Sequence, residues 1–220
     1  MGIDRDEDGY LDRDEIDAGS DPADPLSTPA PPTPTPTPAP ASPLAANKLL
    51  IKNKLPDDAS KNKVILIAKS NSIGAPAPNS AADPRCNSDP SGTVRATLTI
   101  ASATSGQSIT ANLPCQNWKL IGSTTNPKGY KYTDSALADG PAKVVLWKNQ
   151  TVLKVALFGK GPSVLGYDLQ VGVTQNPVSA QFTSIGGSGF CMQCTGSNGK
   201  DGSDGKLFEG KNCPAPVSCP

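Results

Sequence analysis

The sequence predicts a mainly β protein, an antiparallel β-sandwich or barrel, preceded by a short N-terminal loop-and-helix segment and an extended proline-rich linker. From residue 46 onward, apolar and polar residues alternate with a period of two in segments rich in Val, Ile, Thr and Tyr. Gly, Pro, Asn and Asp separate these segments, and no convincing amphipathic helical pattern lies between them. Strands without intervening helices favour antiparallel pairing, and hence a sandwich or barrel.

Ten segments of this kind are predicted as strands. They lie at 48–55, 63–70, 93–101, 107–113, 118–122, 129–134, 142–149, 150–159, 165–174 and 178–185. The strongest hairpin signal is "VVLWKNQTVLKVALF", where two alternating apolar segments meet at a turn near Asn149 and Gln150.

The chain divides into a cation-binding segment at 1–21, a Pro/Thr-rich linker at 22–45 and a disulfide-stapled β-domain at 46–220. Repeated prolines disrupt both helix and sheet pairing in the linker, because proline lacks an N–H and restricts the residue before it. We expect extended polyproline II there, a semi-rigid spacer that would span about 60 to 70 Å if straight.

The composition excludes several classes of function. Histidine is absent, which removes Ser-His-Asp and Cys-His catalysis and His-ligated zinc. The segment "CMQCT" also lacks the histidine that c-type haem attachment needs. Carboxylates such as Asp134, Asp139 and Asp168 show no pattern that brings a catalytic pair together, so we expect no enzyme activity.

The charge is distributed unevenly along the chain. Residues 1–25 carry ten acids against Arg5 and Arg13, a net charge of −8, and the remainder is +8. The lysines of the remainder are dispersed along the sequence and no nucleic-acid motif accompanies them, so we expect no nucleic-acid partner. No apolar segment approaches the ~18 to 20 residues that a membrane span requires.

The cysteines predict disulfides formed in an oxidising compartment. The six are Cys86, Cys115, Cys191, Cys194, Cys213 and Cys219. We expect Cys86 to pair with Cys115, because the two flank a pair of predicted strands. The last four allow three connectivities, and their spacing also approaches that of a four-cysteine zinc site or a redox C-x-x-C.

The N-terminus "MGIDRDEDGY" has neither the basic start nor the apolar core of a secretory signal. Together with the cysteines, this predicts a C-terminal fragment of a larger exported protein, located outside the cell or at its surface. A missing upstream domain is then the expected partner of the N-terminal segment.

The acidic stretch "DRDEDGYLDRDE" has the spacing of a calcium loop. Such a loop needs oxygen ligands at positions 1, 3 and 5, glycine at 6, a carbonyl at 7, a water-linked residue at 9 and a bidentate carboxylate at 12. Counted from the first aspartate, every position is filled, with Gly9 at the bend. The predicted Ca²⁺ ligands are Asp4, Asp6, Asp8, Tyr10 through its carbonyl, Asp12 and Glu15. A short helix is expected over 13–18, ended by Gly19.

Residues 4–21 resemble the calcium loops of EF-hand, dockerin and thrombospondin type 3 repeats, in the "DxDxDGxxDxxE…GxDP" form common in secreted bacterial proteins. The resemblance implies the same ligand set. It departs from a full EF-hand in one respect, since only "MGI" precedes the loop and the incoming helix is missing. The β-domain loosely resembles C-terminal β-domains of exported bacterial proteins, a resemblance that implies no activity.

These observations predict a calcium-binding extracellular structural or adhesive module. Two other functions stay open. One is carbohydrate binding by the β-domain, with Trp118 and Trp147 as stacking platforms for a surface polysaccharide. The other is a self-assembling surface or filament subunit, whose partners are copies of the chain itself.

Overall fold

The computed structural model describes residues 2–29, 41–54, 58–86, 93–160, 165–169, 171–186 and 189–219. The chain forms two compact units, Met1–Pro36 and Thr37–Pro220. In the first unit, one helix, α1 (Asp12–Ala18), follows the acidic loop and ends at Gly19, which has a left-handed backbone. The predicted short helix and its terminating glycine are therefore confirmed.

The second unit is a β-sandwich of two sheets. Its strands are β1 (Ser42–Pro43), β2 (Ala46–Lys52), β3 (Lys63–Lys69), β4 (Val94–Ser102), β5 (Ser108–Pro114), β6 (Trp118–Gly122), β7 (Pro127–Thr133), β8 (Ala142–Lys148), β9 (Val152–Phe158), β10 (Val178–Ser184), β11 (Phe190–Cys194), β12 (Gly199–Asp201) and β13 (Leu207–Cys213). Three 3₁₀ turns lie at Ala59–Lys61, Cys115–Asn117 and Gly196–Asn198. The described residues contain no helix with the length and hydropathy needed to cross a membrane.

One sheet has eight strands in the order β12-β13-β2-β3-β9-β8-β7-β6, and the other has five in the order β1-β11-β10-β4-β5. The recorded pairings are antiparallel except that of β1 with β11. Alternate residues of each strand point into the space between the sheets, where Leu49, Leu66, Leu98, Ile100 and Phe182 are completely buried. The predicted mainly β fold, an antiparallel sandwich, is confirmed.

Nine of the ten predicted strands are present, with ends that differ by a few residues. The tenth, 165–174, is wrong, because its described residues form no strand. Its apolar residues Leu165, Tyr167 and Leu169 are buried, which explains the alternating pattern. A backbone carbonyl of this segment is bound by a side chain and not by a neighbouring strand. The Asn62 Nδ2 group donates to the Leu165 carbonyl over 3.2 Å.

Sequence reasoning missed β1, β11, β12 and β13. The pattern of β13 is broken by charged residues and by Gly210, yet this strand pairs with β2 over most of its length. Its closeness to the opposite sheet requires the glycine, because a Cβ at Gly210 would overlap the Cys194 sulfur. Glycine at this position therefore reflects close packing of the two sheets and not a turn.

The predicted linker boundary at residue 45 is wrong, because the sandwich begins earlier. Ser42 and Leu44 donate their N–H groups to the carbonyls of Gly189 and Cys191 over 2.7 and 2.8 Å. Pro43 between them is tolerated because β1 is an edge strand and needs no donor at that position. At the other end, 22–27 form hydrogen-bonded turns. The central part of the predicted spacer, 30–40, lies outside the described residues.

All six cysteines are paired. Cys86–Cys115 is bonded as predicted, and the open connectivity of the other four resolves into Cys191–Cys219 and Cys194–Cys213. The zinc alternative does not hold, because each sulfur is bonded to another sulfur and no thiolate is left to ligate a metal. Cys194–Cys213 joins β11 of the five-stranded sheet to β13 of the eight-stranded sheet.

Candidate metal site

The acidic loop is folded by its own aspartates, each of which uses one carboxylate oxygen to bind the backbone. Asp4 Oδ2 accepts from the Gly9 N–H over 3.2 Å. Asp6 Oδ1 accepts from the Asp8 N–H over 3.3 Å, and Asp8 Oδ1 accepts from the Tyr10 N–H over 2.9 Å. Gly9 has φ of 98°, a backbone conformation that favours glycine and that produces the predicted sharp bend.

The second oxygen of each of these aspartates is buried and has no hydrogen-bond partner. These atoms are Asp4 Oδ1, Asp6 Oδ2 and Asp8 Oδ2. One carboxylate oxygen from each of the three residues lies within 4.8 Å of those of the other two. Among the described residues, no other acidic or cysteine side chains form such a group. Carboxylate oxygens without donors, held together in this way, match what a hard cation binds.

Helix α1 carries a further carboxylate, Glu15, which lies outside the group of three but close enough for their charges to act on it. The Asp12 N–H donates to the Ile3 carbonyl over 2.8 Å, which brings the start of the loop back to the helix. Glu15 lies in the first turns of this helix and is completely buried, although it is charged and belongs to a small unit. Both of its carboxylate oxygens lack hydrogen-bond partners. A buried carboxylate normally has a donor, so both of these oxygens are available to ligate a cation.

Two of these carboxyl groups, those of Glu15 and Asp6, have raised pKa values. Burial raises the pKa of Glu15 above its usual value, and the charges of Asp8, Asp6, Asp12 and Asp4 raise it further. Burial also raises the pKa of Asp6, with contributions from Asp8 and Asp4. A group with a raised pKa opposes folding of the loop once it is ionised, so the folded loop is strained by charge at neutral pH. A divalent cation would reverse this effect.

The other two predicted ligands are placed differently. Asp12 is held by Arg5: its Oδ1 accepts from the Arg5 N–H over 2.8 Å and its Oδ2 lies 3.3 Å from the guanidinium. Both of its oxygens are therefore engaged, which suits a residue that contacts a cation only through water. Tyr10 is 45% exposed, and its role as a ligand through its carbonyl stays a prediction.

The unit around the loop has little apolar core of its own. Leu11, at the loop position where an apolar side chain usually turns inward, is 40% exposed, and Ile3 and Ile16 are 70% and 62% exposed. The loop is therefore organised by hydrogen bonds and charge, and hydrophobic burial contributes little to its stability.

The two tryptophans proposed to stack on sugars are in the core. Trp147 is completely buried and Trp118 is 4% exposed. Their indole N–H groups donate to the carbonyls of Gly74 and Leu113 over 2.9 and 3.3 Å. Neither ring offers a face to a ligand, so the prediction of stacking at these two residues is wrong. The pattern of aromatic residues on strands reflected packing between the sheets.

Comparison of the chain with protein-family models, with curated proteins and with solved structures found no match in any of the three.

Proposed function

We propose that residues 4–15 bind Ca²⁺ and that the chain is a calcium-dependent structural or adhesive module that acts outside the cell. The observation that carries this proposal is the set of five buried carboxylate oxygens without partners, one each from Asp4, Asp6 and Asp8 and two from Glu15. They occupy positions 1, 3, 5 and 12 of the loop, where a calcium site needs them.

The number and type of the oxygens favour calcium over other cations. Five carboxylate oxygens, the Tyr10 carbonyl and one water held by Asp12 make seven ligands, within the range of six to eight that Ca²⁺ takes. Mg²⁺ prefers a strict octahedron with several retained waters, which a bidentate Glu15 disfavours. Zinc in proteins is bound mostly by nitrogen and sulfur, and this group offers neither.

The disulfides support a location outside the cell. Such bonds persist in oxidising compartments, where calcium is also present at concentrations that fill sites of modest affinity. The proposed role of the ion is to neutralise the four carboxylates and order the N-terminal segment, which is acidic and has little core. An ordered segment can then dock on a neighbouring domain or on another copy of the chain.

Calcium is expected to protect the N-terminal segment from trypsin, which cleaves after Arg5 and Arg13. An ion that binds only the folded loop reduces the population of its open form, by about tenfold at ten times the dissociation constant. Cleavage at these two arginines should slow to the same extent when calcium is added. The rate is measured by mass spectrometry of the released peptides.

The matched variants are Glu15→Gln, which removes a proposed ligand, and Glu7→Gln, which removes one exposed acid from the same loop. Both lose one negative charge. Protection should disappear in the first and persist in the second. Equal cleavage rates with and without calcium in the unsubstituted chain would contradict the proposed ordering.

A further inference from the structure

The lysines that are dispersed along the sequence converge on the outer face of the eight-stranded sheet. On each strand the residues between the buried ones point away from the five-stranded sheet. Ten lysines occupy such positions: Lys48, Lys52, Lys63, Lys69, Lys119, Lys131, Lys148, Lys154, Lys200 and Lys211. On the described strands of this sheet, Glu209 is the only acid at an outward position.

Five of these lysines belong to one row across seven strands. The strand registers pair neighbours in the order Lys211, Lys48, Ile67, Lys154, Leu146, Lys131 and Lys119. We call these seven residues the lysine row. Neighbouring strands are about 4.8 Å apart, so the lysine row is about 29 Å long.

The lysine row is not balanced by acids of the same face. Lys211 lies directly opposite Lys48, and Lys131 lies directly opposite Lys119. Like charges in direct cross-strand pairs destabilise a sheet. Within the described part of the chain, the one recorded ion pair of these lysines joins Lys211 to Glu209 at 2.8 Å. An external polyanion would therefore gain attraction and also relieve repulsion within the sheet.

The outer face of the five-stranded sheet is different. Its outward residues on β4, β5 and β10 are mostly uncharged and polar: Thr97, Thr99, Ser108, Thr110, Asn112, Ser179, Gln181 and Thr183. Arg95, the charged residue at these positions, donates to the carbonyls of Ala81 and Asp83 over 3.1 and 3.2 Å. The positive charge of the sandwich is therefore concentrated on one sheet.

We propose that the lysine row binds an extended anionic polysaccharide, whose carboxylate or sulfate groups lie across the strands. The twist of the sheet favours a flexible chain as the ligand. Neighbouring strands rotate by about 20 to 25°, so the two ends of a seven-strand row face directions more than 100° apart. A linear polymer can follow this rotation, whereas a flat bilayer would contact only part of the lysine row.

The chemistry of the face favours a polysaccharide over a single-stranded nucleic acid. Proteins that bind single strands usually stack bases on exposed aromatic rings. Among the described residues, no strongly exposed aromatic ring lies on this face, and Phe158 is half-buried with the Lys143 ammonium 5.7 Å from its ring centroid. The lysine row also contains no arginine. Lysine ammonium groups act as point charges that suit carboxylates and sulfates without a fixed geometry.

The test measures binding of the full chain to sodium alginate and to chondroitin sulfate, by calorimetry at low ionic strength in calcium-free buffer. Because calcium is absent, the outcome is independent of the proposed calcium site. Neutral dextran controls for charge, while a single-stranded DNA oligonucleotide and phosphatidylglycerol vesicles represent the other polyanions. We expect saturable binding to at least one acidic polysaccharide, weakened by added salt, and none to dextran.

The decisive variant replaces three members of the lysine row, Lys48→Gln, Lys131→Gln and Lys154→Gln, in one chain. Loss of three exposed ionic contacts should weaken polysaccharide binding about tenfold. The thermal midpoint should not fall, because the substitutions remove like-charge repulsion. A retained midpoint shows that the loss of binding does not come from unfolding.

The matched control removes the same charge away from the lysine row, with Lys61→Gln, Lys128→Gln and Lys160→Gln. Its affinity should stay close to that of the unsubstituted chain. The proposal is overturned by absence of saturable polysaccharide binding at low ionic strength, or by equal loss in both triple variants. Tighter binding of the DNA or the vesicles through the same lysines would also overturn it, because the ligand would then belong to another class.

Discussion

Replacing Trp147 by alanine is expected to lower the free energy of unfolding of the β-domain by about 3 to 5 kcal/mol. Trp147 lies on β8 and contacts the opposite sheet, with its ring centroid 5.1 Å from that of Phe182 and 6.2 Å from that of Phe190. Its indole also packs edge-on against Trp118 at 6.4 Å. Truncation would leave a cavity between the sheets and an unpaired Gly74 carbonyl.

Urea unfolding followed by circular dichroism measures this loss. Trp147→Phe keeps most of the apolar contact and should cost less than the alanine variant, while Tyr10→Ala, in the other unit, should leave the transition of the β-domain unchanged. A loss below about 1 kcal/mol in Trp147→Ala would be too small for a large buried side chain. That result would mean that the indole is not the centre of the core.

Removing the Cys194–Cys213 disulfide by paired alanine substitutions is expected to cost about 3 kcal/mol or more. The bond closes a loop with a sequence separation of 19 residues and links the two sheets through buried sulfur atoms. Its loss therefore adds an empty space between the sheets to the greater entropy of the unfolded chain.

The paired substitution of Cys191 and Cys219 is the comparison. That bond spans a longer separation of 28 residues but ties only the C-terminal tail to β11. Loop length alone would make it the more costly bond to lose. We expect the reverse order, measured as the difference between the two midpoints in urea, because of these two bonds Cys194–Cys213 is the one that joins the two sheets. A larger loss at Cys191–Cys219 would contradict the structural role of the inter-sheet bond.

The sequence predicts local features well where one physical constraint determines them. The alternation in "KVILIAKS" and "VVLWKNQTVLKVALF" predicts β3 and the hairpin of β8 and β9, because one face of each strand is buried. In the acidic loop, the spacing of Asp4, Asp6 and Asp8 predicts residues that the structure brings together. Backbone geometry over a dozen residues is enough to fix these positions.

Features that depend on the pairing of distant strands were not predictable. The lysine row combines residues from 48 to 211, and their convergence follows only from the order and register of seven strands. The alternating sequence pattern places Trp118 and Trp147 on strands, but it does not show whether their side of the strand faces the core or the solvent. An aromatic ring is compatible with either side. Likewise, the connectivity of the last four cysteines depends on β13 returning beside β2.

The most direct test of the central claim is a calcium titration of the full chain by calorimetry. We expect one saturable site with a dissociation constant of about 10⁻⁵ to 10⁻³ M, from the weak limit of calcium sensors to the range of extracellular modules. Glu15→Gln should weaken binding by more than about tenfold, because it removes the bidentate ligand. Glu7→Gln should bind as the unsubstituted chain does. Absence of a saturable site in millimolar calcium, or equal binding by Glu15→Gln, would contradict the claim that residues 4–15 hold the ion.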